Sequence, residues 1–441
     1  MRRINLLMRR LKSQKKLIIL GVLLVLILCG IFYWLSYLAS IHVARIFNEV
    51  AATQHLLEGH ITVETLSANP SGRVSFTGLK WTNPRGEVLA DIPDGNFKVK
   101  PFDVVTKRMS SSSITYLEIH DATLFFDFDD RMNLQHIDAM KPVKRGRGNT
   151  KLPKELKDFD AELIATNCTV AAKYKQRTFN MTSVYIKSTL KNKKMYLDFK
   201  SGKFCGTIEA DGLSILGSVD LSKDEGMYDD VNLTIDQCNP SSLGAGINVK
   251  EKVSAKARIN GLLEAPVIEG FLTMDQLNIP ALHFTKVKGN FHYEDGLITS
   301  DKITAKVYGG DVLAKGKFDI DDKSYELHIL GDKLHSNMAA HQAWFKCLVK
   351  LNLHMISDGN PKTVLTYGNF TSGHGFYGPI KFDKISGEFS NQNKLLRFSN
   401  VVIESSDNNI SAPNFQINKG RLKMDSLYYL DRRTGIKKRI I

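Results

Sequence analysis

The sequence predicts a mainly β chain, built as a repeated β-meander behind a single N-terminal transmembrane helix. Alternation is the first sign. Between Phe284 and Leu330, Val312, Ala314, Gly316, Phe318 and Ile320 share one parity, while Lys315, Lys317 and Asp319 take the other. Successive side chains of a strand point to opposite faces, so this parity makes one face apolar and the other charged. Repetition is the second. Phe284-Thr-Lys-Val-Lys-Gly-Asn-Phe291 returns as Phe382-Asp-Lys-Ile-Ser-Gly-Glu-Phe389, 98 residues on, and Leu297, Ile303 and Val312 then meet Leu395, Val401 and Ile410. A recurring unit of this kind is the mark of a repeat architecture. The third is the run from Leu17 to Leu38, 22 residues without a charge.

That run is long enough to cross a bilayer core, at about 33 Å as a helix. Seven Arg and Lys residues with no acid precede it in 1–16, which predicts a cytoplasmic N-terminus. Trp34, with Tyr33 and Tyr37, lies near its outer end, where amphipathic rings favour the interface. The apolar run is longer than a signal-peptide core, and Tyr37-Leu38-Ala39 is a poor cleavage site. The expectation is a single anchor, Leu17 to Leu38, with the rest of the chain on the far side of the cytoplasmic membrane.

Beyond the anchor, Val43, Ile46, Phe47, Val50 and Leu57 form a helical stripe over 41–58, read as a short amphipathic helix. An N-terminal β segment is expected over 60–140. Within it, Arg73 to Trp81 is a strand whose parity shifts at Gly78, as at a bulge, and Ile114 to Phe128 is a second strand. Seven basic residues with two prolines and two glycines make 141–158 a loop. A central β array is expected over 159–330. Leu334, Met338, His341, Phe345 and Leu348 fall at helical spacing, so a short helix is expected over 334–348. A C-terminal β repeat (349–430) and a basic tail (431–441) complete the chain.

Charge excludes one class of function. The formal net charge is +14, but the two basic ends carry most of the excess; without 1–16 and 432–441 the body holds 48 basic and 46 acidic residues. A nucleic-acid-binding surface needs its basic stripe in the folded part. Catalytic signatures are also missing. Gly212-Leu-Ser-Ile-Leu216 lacks the second glycine of a nucleophile elbow, and no HExxH or zinc-ligand spacing occurs. The Asp127/Asp129/Asp130 and Asp319/Asp321/Asp322 groups read as solvated turn carboxylates. Neither an enzyme nor a bound cofactor or metal is expected. Four cysteines beyond the span allow three pairings that spacing does not rank.

A sheet with one apolar face needs that face covered, and two short helices cannot cover about thirty strands. The sheet therefore closes on itself, packs as a sandwich, or leaves an apolar trough that binds something. For an anchored protein the natural occupant is a lipid acyl chain. The face that would take it comprises Phe291, Tyr293, Ile303, Val307, Val312, Ala314, Phe318, Ile320, Tyr325, Leu327 and Ile329.

The chain resembles the AsmA/TamB-like proteins of the diderm bacterial envelope. The resemblance rests on the anchor and the helix after it, and on Gly72-Arg-Val-Ser-Phe-Thr-Gly-Leu-Lys-Trp-Thr-Asn-Pro-Arg-Gly86. It rests also on Glu264-Ala-Pro-Val-Ile-Glu-Gly270 and on Tyr308-Gly309-Gly310. It implies an elongated, curled β-sheet with a hydrophobic groove, held in the inner membrane and facing the periplasm. It implies, too, that the protein moves phospholipid between inner and outer membranes, with outer-membrane or envelope proteins as further partners. Two departures stand out: the chain is short for the bridging members, and it ends in Arg432-Arg-Thr-Gly-Ile-Lys-Lys-Arg439 rather than an apolar tip. A second expectation is an assembly factor that binds outer-membrane polypeptides through its sheet edges.

Overall fold

Period-two alternation, frequent β-branched residues and Asp/Asn/Gly turns make strands along nearly all of the described chain. A computed structural model describes residues 31, 58–69, 71–100, 113–128, 135, 160–174, 177–222, 226–243, 249–279, 282–339, 341–360, 362–393, 395–418 and 421–440. The expected amphipathic helix (41–58, but for its last residue), the basic loop 141–158 and the anchor 17–38, save Ile31, lie outside these residues. Among the described residues, no helix is long and apolar enough to cross a membrane. Twenty-six strands belong to one mixed sheet and three to a small separate one. The chain divides into two compact units, Met1–Thr207 with Leu216–Gly226, and Ile208–Ile215 with Met227–Ile441.

In the first unit, β1 (His60–Thr62) and β2 (Thr65–Ala68) both pair with β3 (Arg73–Thr82), which pairs with β4 (Val88–Val99). The β3–β4 turn is built by Asn83, whose buried Oδ1 accepts the Arg85 and Glu87 amides, with Gly86 at φ 82°. Gly78 does take a positive φ of 62°, and the apolar parity moves from Phe76 to Leu79 and Trp81. The register slip against β4, however, lies at Trp81/Thr82, not at Gly78. The strand expected over Ile114–Phe128 is interrupted. β5 (Ile114–His120) and β6 (Thr123–Phe128) flank Asp121 at φ 51° and lie end to end along β4.

Both β5 and β6 pair in parallel with β7 (Ala161–Tyr174), which corrects the expectation of an unbroken meander. A parallel pair needs a long connection, and 32 residues separate Phe128 from Ala161 in the sequence. Antiparallel pairing resumes with β8 (Arg177–Lys191), which takes β9 (Lys194–Ser201) and β10 (Phe204–Gly206); β11 (Gly212–Asp220) pairs with β9. The core of this unit comprises Phe76, Ala90, Ile92, Ile119, Ala122, Ala165, Cys168, Val170 and Val184, all buried.

The second unit is an antiparallel succession. It runs β12 (Met227–Cys238), β13 (Val253–Leu262), β14 (Pro266–Ile279), β15 (Leu282–Glu294), β16 (Leu297–Val307), β17 (Gly310–Asp319), β18 (Ser324–His335), β20 (Leu348–Asp358) and β21 (Leu365–Ser372). β24 (Lys384–Gln392), β25 (Leu395–Glu404) and β26 (Asn408–Asn418) continue it. β27 (Arg421–Met424) and β28 (Tyr428–Asp431) share the far side of β26, and β29 (Lys437–Arg439) pairs with β28. The 98-residue repeat is structural: β16 and β25 begin 98 residues apart, as do β17 and β26. The Ala305–Val312 rung has its counterpart in Ile403–Ile410.

The helix expected over 334–348 is not there. Leu334 lies in β18, which runs to His335, and among the described residues of this stretch only Ser336–Ala339 makes a helical turn, α1. Phe345 enters β19 (Phe345–Lys346), which with β22 (Gly375–Tyr377) and β23 (Ile380–Phe382) forms the small sheet. The competing interaction is long-range: the Phe345 ring packs on Tyr377 and Phe382, with centroids 6.3 Å away in each case. His341 is an exposed turn residue at φ 51°.

Candidate functional site: an apolar face of the second unit

Directly opposed residues of an antiparallel pair share a face, so the register can be followed from strand to strand. From β12 the rungs run Ile235, Ala255, Leu272, Gly289, Ile303, Ala314 and Ile329. They continue through Leu353, Gly368, Phe389, Phe398, Phe415 and Met424 on β27. Every member of this row is apolar or glycine. Thirteen strands at about 4.8 Å spacing give about 58 Å along the sheet.

Parallel rows widen the stripe. Val231, Ile259, Ile268, Tyr293, Ile298, Phe318 and Tyr325 form one. Val312, Gly331, Leu351, Phe370 and Gly387 form another. Phe398 and Phe415 stack at 4.7 Å, with Phe370 edge-on to Phe398 at 6.2 Å.

Ten of the eleven residues expected on the lipid face lie on this stripe. Phe291, Tyr293, Ile303, Ala314, Phe318, Tyr325, Leu327 and Ile329 are half-buried. Val307 and Val312 are closed off, packed with Leu334, Phe284 and Val349 in a local cluster. The exception is Ile320. Parity extends it along β17, but that strand ends at Asp319, and Ile320 is a turn residue, 44% exposed, whose amide bonds the Gly296 carbonyl. The core of a closed sandwich would bury these rings entirely; here the aromatic residues of the stripe keep partial exposure.

Glycines on the stripe are overlain by neighbouring side chains. A Cβ at Gly270 would come 2.5 Å from the Phe291 ring, and one at Gly316 would come 2.5 Å from Leu327 Cδ2. At Gly387 it would meet Phe370 Cζ at 2.9 Å and Val401 Cγ2 at 2.8 Å. The missing side chains let large neighbours lie flat across the sheet and keep the stripe apolar without crowding.

The opposite face carries ion pairs and stacked histidines among exposed apolar residues, Phe271, Leu313, Leu330 and Ile356 included. Lys317 bonds Glu326 at 2.9 Å and Lys306 bonds Asp311 at 2.8 Å, and each lysine, by hydrogen bond and charge, holds its partner's carboxyl below the usual range. His328 stacks on His354 at 4.3 Å and bonds Asn352 Oδ1 at 2.7 Å. Asp319 Oδ1 accepts the amides of Asp321 and Asp322, which makes this carboxylate group a turn. Among the described residues, no three His, Cys, Asp or Glu side chains converge on a metal-sized site. Cys168, Cys238 and Cys347 are free and buried, and Cys205 is free and exposed.

Sequence reasoning stopped the face at Ile329 and missed its extension through Leu353, Phe370, Phe389, Phe398 and Phe415. The signal was present in the repeat itself: Phe389 is the counterpart of Phe291, 98 residues on. Comparison with family models, with curated proteins and with solved structures gave no match to this chain.

Proposed function

We propose that this protein carries phospholipid acyl chains along the apolar stripe of its second unit. In this reading Leu17–Leu38 anchors the chain in the inner membrane, Leu17 at the inner end and Trp34 and Leu38 at the outer. The strands then work in the periplasm, as an elongated, curled sheet of the AsmA/TamB-like kind, between inner and outer membranes. The observation that carries it is the thirteen-strand row of apolar and glycine rungs on a half-open face.

Energetics supports such a role. Moving a sixteen-carbon chain through water costs about 12 kcal/mol, at about 0.8 kcal/mol per methylene. A continuous apolar path avoids most of that cost with no chemical step, so neither catalytic residues nor a cofactor are called for.

Strand addition at a sheet edge, the assembly-factor alternative, has less support. Among the described residues β29 pairs only with β28, so it borders the sheet, and it consists of three exposed basic residues, Lys437, Lys438 and Arg439. Short, charged edge strands resist the addition of another strand.

The test is site-specific photo-crosslinking in cells whose phospholipid phosphate is labelled. Probes at Phe318 and Leu327 capture label under this proposal, and probes at Lys315 and Lys317 on the opposite face do not. Equal labelling of both faces, or of neither, removes it.

A further inference from the structure

The small sheet β19–β22–β23 presents a second apolar surface, separate from the stripe. Trp344 is 73% exposed and Ile380 64%, with Tyr377 and Phe376 about half exposed. One rung joins Phe345, Tyr377 and Ile380; the next joins Lys346, Phe376 and Lys381, so Phe376 stands between two exposed lysines.

The small sheet is held firmly. Phe382 is buried and packs on Phe345, Cys347 is buried, and the Gly378 amide donates to the Trp344 carbonyl at 2.9 Å. Residues 340–349 and 373–382 contain no Asp or Glu. The nearest acid in sequence, Asp383, is engaged at the base by His374 at 3.3 Å.

Large exposed apolar side chains clustered on a fixed scaffold mark an interaction surface. Their company decides the partner. Lysine is depleted at protein–protein interface cores, whereas aromatic rings on a surface that also carries lysines are favoured at a bilayer. There the rings sit at headgroup depth and the ammonium groups reach anionic phosphates. A surface whose segments carry two lysines and no acid is complementary to that charge.

We propose that β19, β22 and β23 form a wedge that docks on an anionic phospholipid bilayer, seating Trp344, Phe376, Tyr377 and Ile380 among the headgroups with Lys346 and Lys381 against phosphate. This surface shares no residue with the apolar stripe, and it stands or falls independently of acyl-chain transport.

The experiment uses the full chain held in phosphatidylcholine nanodiscs and mixed with vesicles that are then floated. The chain rises with phosphatidylethanolamine–phosphatidylglycerol vesicles and less with pure phosphatidylcholine ones. Combining Trp344→Ser, Phe376→Ser and Ile380→Ser, all at exposed positions, lowers partitioning by about tenfold or more. Lys346→Glu with Lys381→Glu lowers it roughly tenfold on the anionic vesicles and leaves the neutral ones unchanged. Tyr196→Ser, at an exposed position on β9 outside both surfaces, floats as the unaltered chain does. Flotation of the triple variant at the unaltered level overturns the proposal. So does failure of the unaltered chain to float, which would assign the patch to a protein partner.

Discussion

The ring of Phe291 lies across Gly270 on the neighbouring strand, where a Cβ would stand 2.5 Å from its Cζ and 2.7 Å from the Lys256 carbonyl oxygen. The pair fixes how the stripe is filled at β14–β15: one residue supplies all the apolar surface, and the other supplies none. Gly270→Val therefore destabilises the protein by about 2 kcal/mol through overpacking. Phe291→Ala costs about 1–2 kcal/mol, since the ring is only half-buried. The two changes combined cost less than their sum, because the ring that the new side chain meets is gone. Urea unfolding midpoints of the three variants measure this coupling.

A charge on the stripe blocks it. Leu327 opposes Gly316 and Met355 on that face, while its chain neighbour Glu326 opposes Lys317 on the other. Leu327→Glu reduces phospholipid crosslinking at Phe318 by about tenfold or more, the penalty for leaving a carboxylate beside an acyl chain. Lys315→Glu, on the opposite face, leaves crosslinking unchanged. Far-ultraviolet circular dichroism confirms that both variants fold.

Thiol reactivity separates the cysteines. Burial raises the thiol pKa of Cys168 and Cys238, and Cys347 is buried as well, whereas Cys205 is exposed. Under native conditions a maleimide labels Cys205 and spares Cys168, Cys238 and Cys347, which react only when denaturant is added. Mass spectrometry of the labelled peptides reads the outcome.

Acid weakens the sheet. The carboxyls of Asp311 and Glu326 are held below their usual values by hydrogen bonds from Lys306 and Lys317. Those of Asp322 and Asp358 are lowered too, first by the Ser324 amide and the Thr363 hydroxyl respectively. In each case the folded pKa lies under the unfolded one, so the stabilisation is fully present above the unfolded value. It is lost as pH falls through the folded value. The urea midpoint is accordingly lower at about pH 3 than at about pH 7.

The sequence was most legible where structure is local. The parity of Val312, Ala314, Gly316 and Phe318 assigns both faces of β17, and the repeated Phe-x-Lys-x-x-Gly-x-Phe phrase marks β15 in one copy and, from Lys384 on, β24 in the other. What escaped depends on distant partners. Leu334 to Phe345 has helical spacing, yet Phe345 is drawn into β19 by Tyr377 and Phe382, more than thirty residues away. The parallel pairing of β5 and β6 with β7 spans a crossover that no local pattern encodes. Ile320 kept the parity of its strand after the strand had ended. The apolar parity was followed only as far as Ile329, because Phe398 and Phe415 join that row only through the registers of β24, β25 and β26.

The central claim is that one apolar path runs unbroken across the second unit. A photo-crosslinking scan along the long row tests it most directly, with probes at Leu272, Ile303, Ile329, Leu353 and Phe398 and controls at Lys256, Lys315 and Arg397. Phospholipid adducts at all five row positions and at none of the controls are the predicted result. Adducts confined to one end of the row, or absent from it while the controls react, would contradict a continuous lipid path.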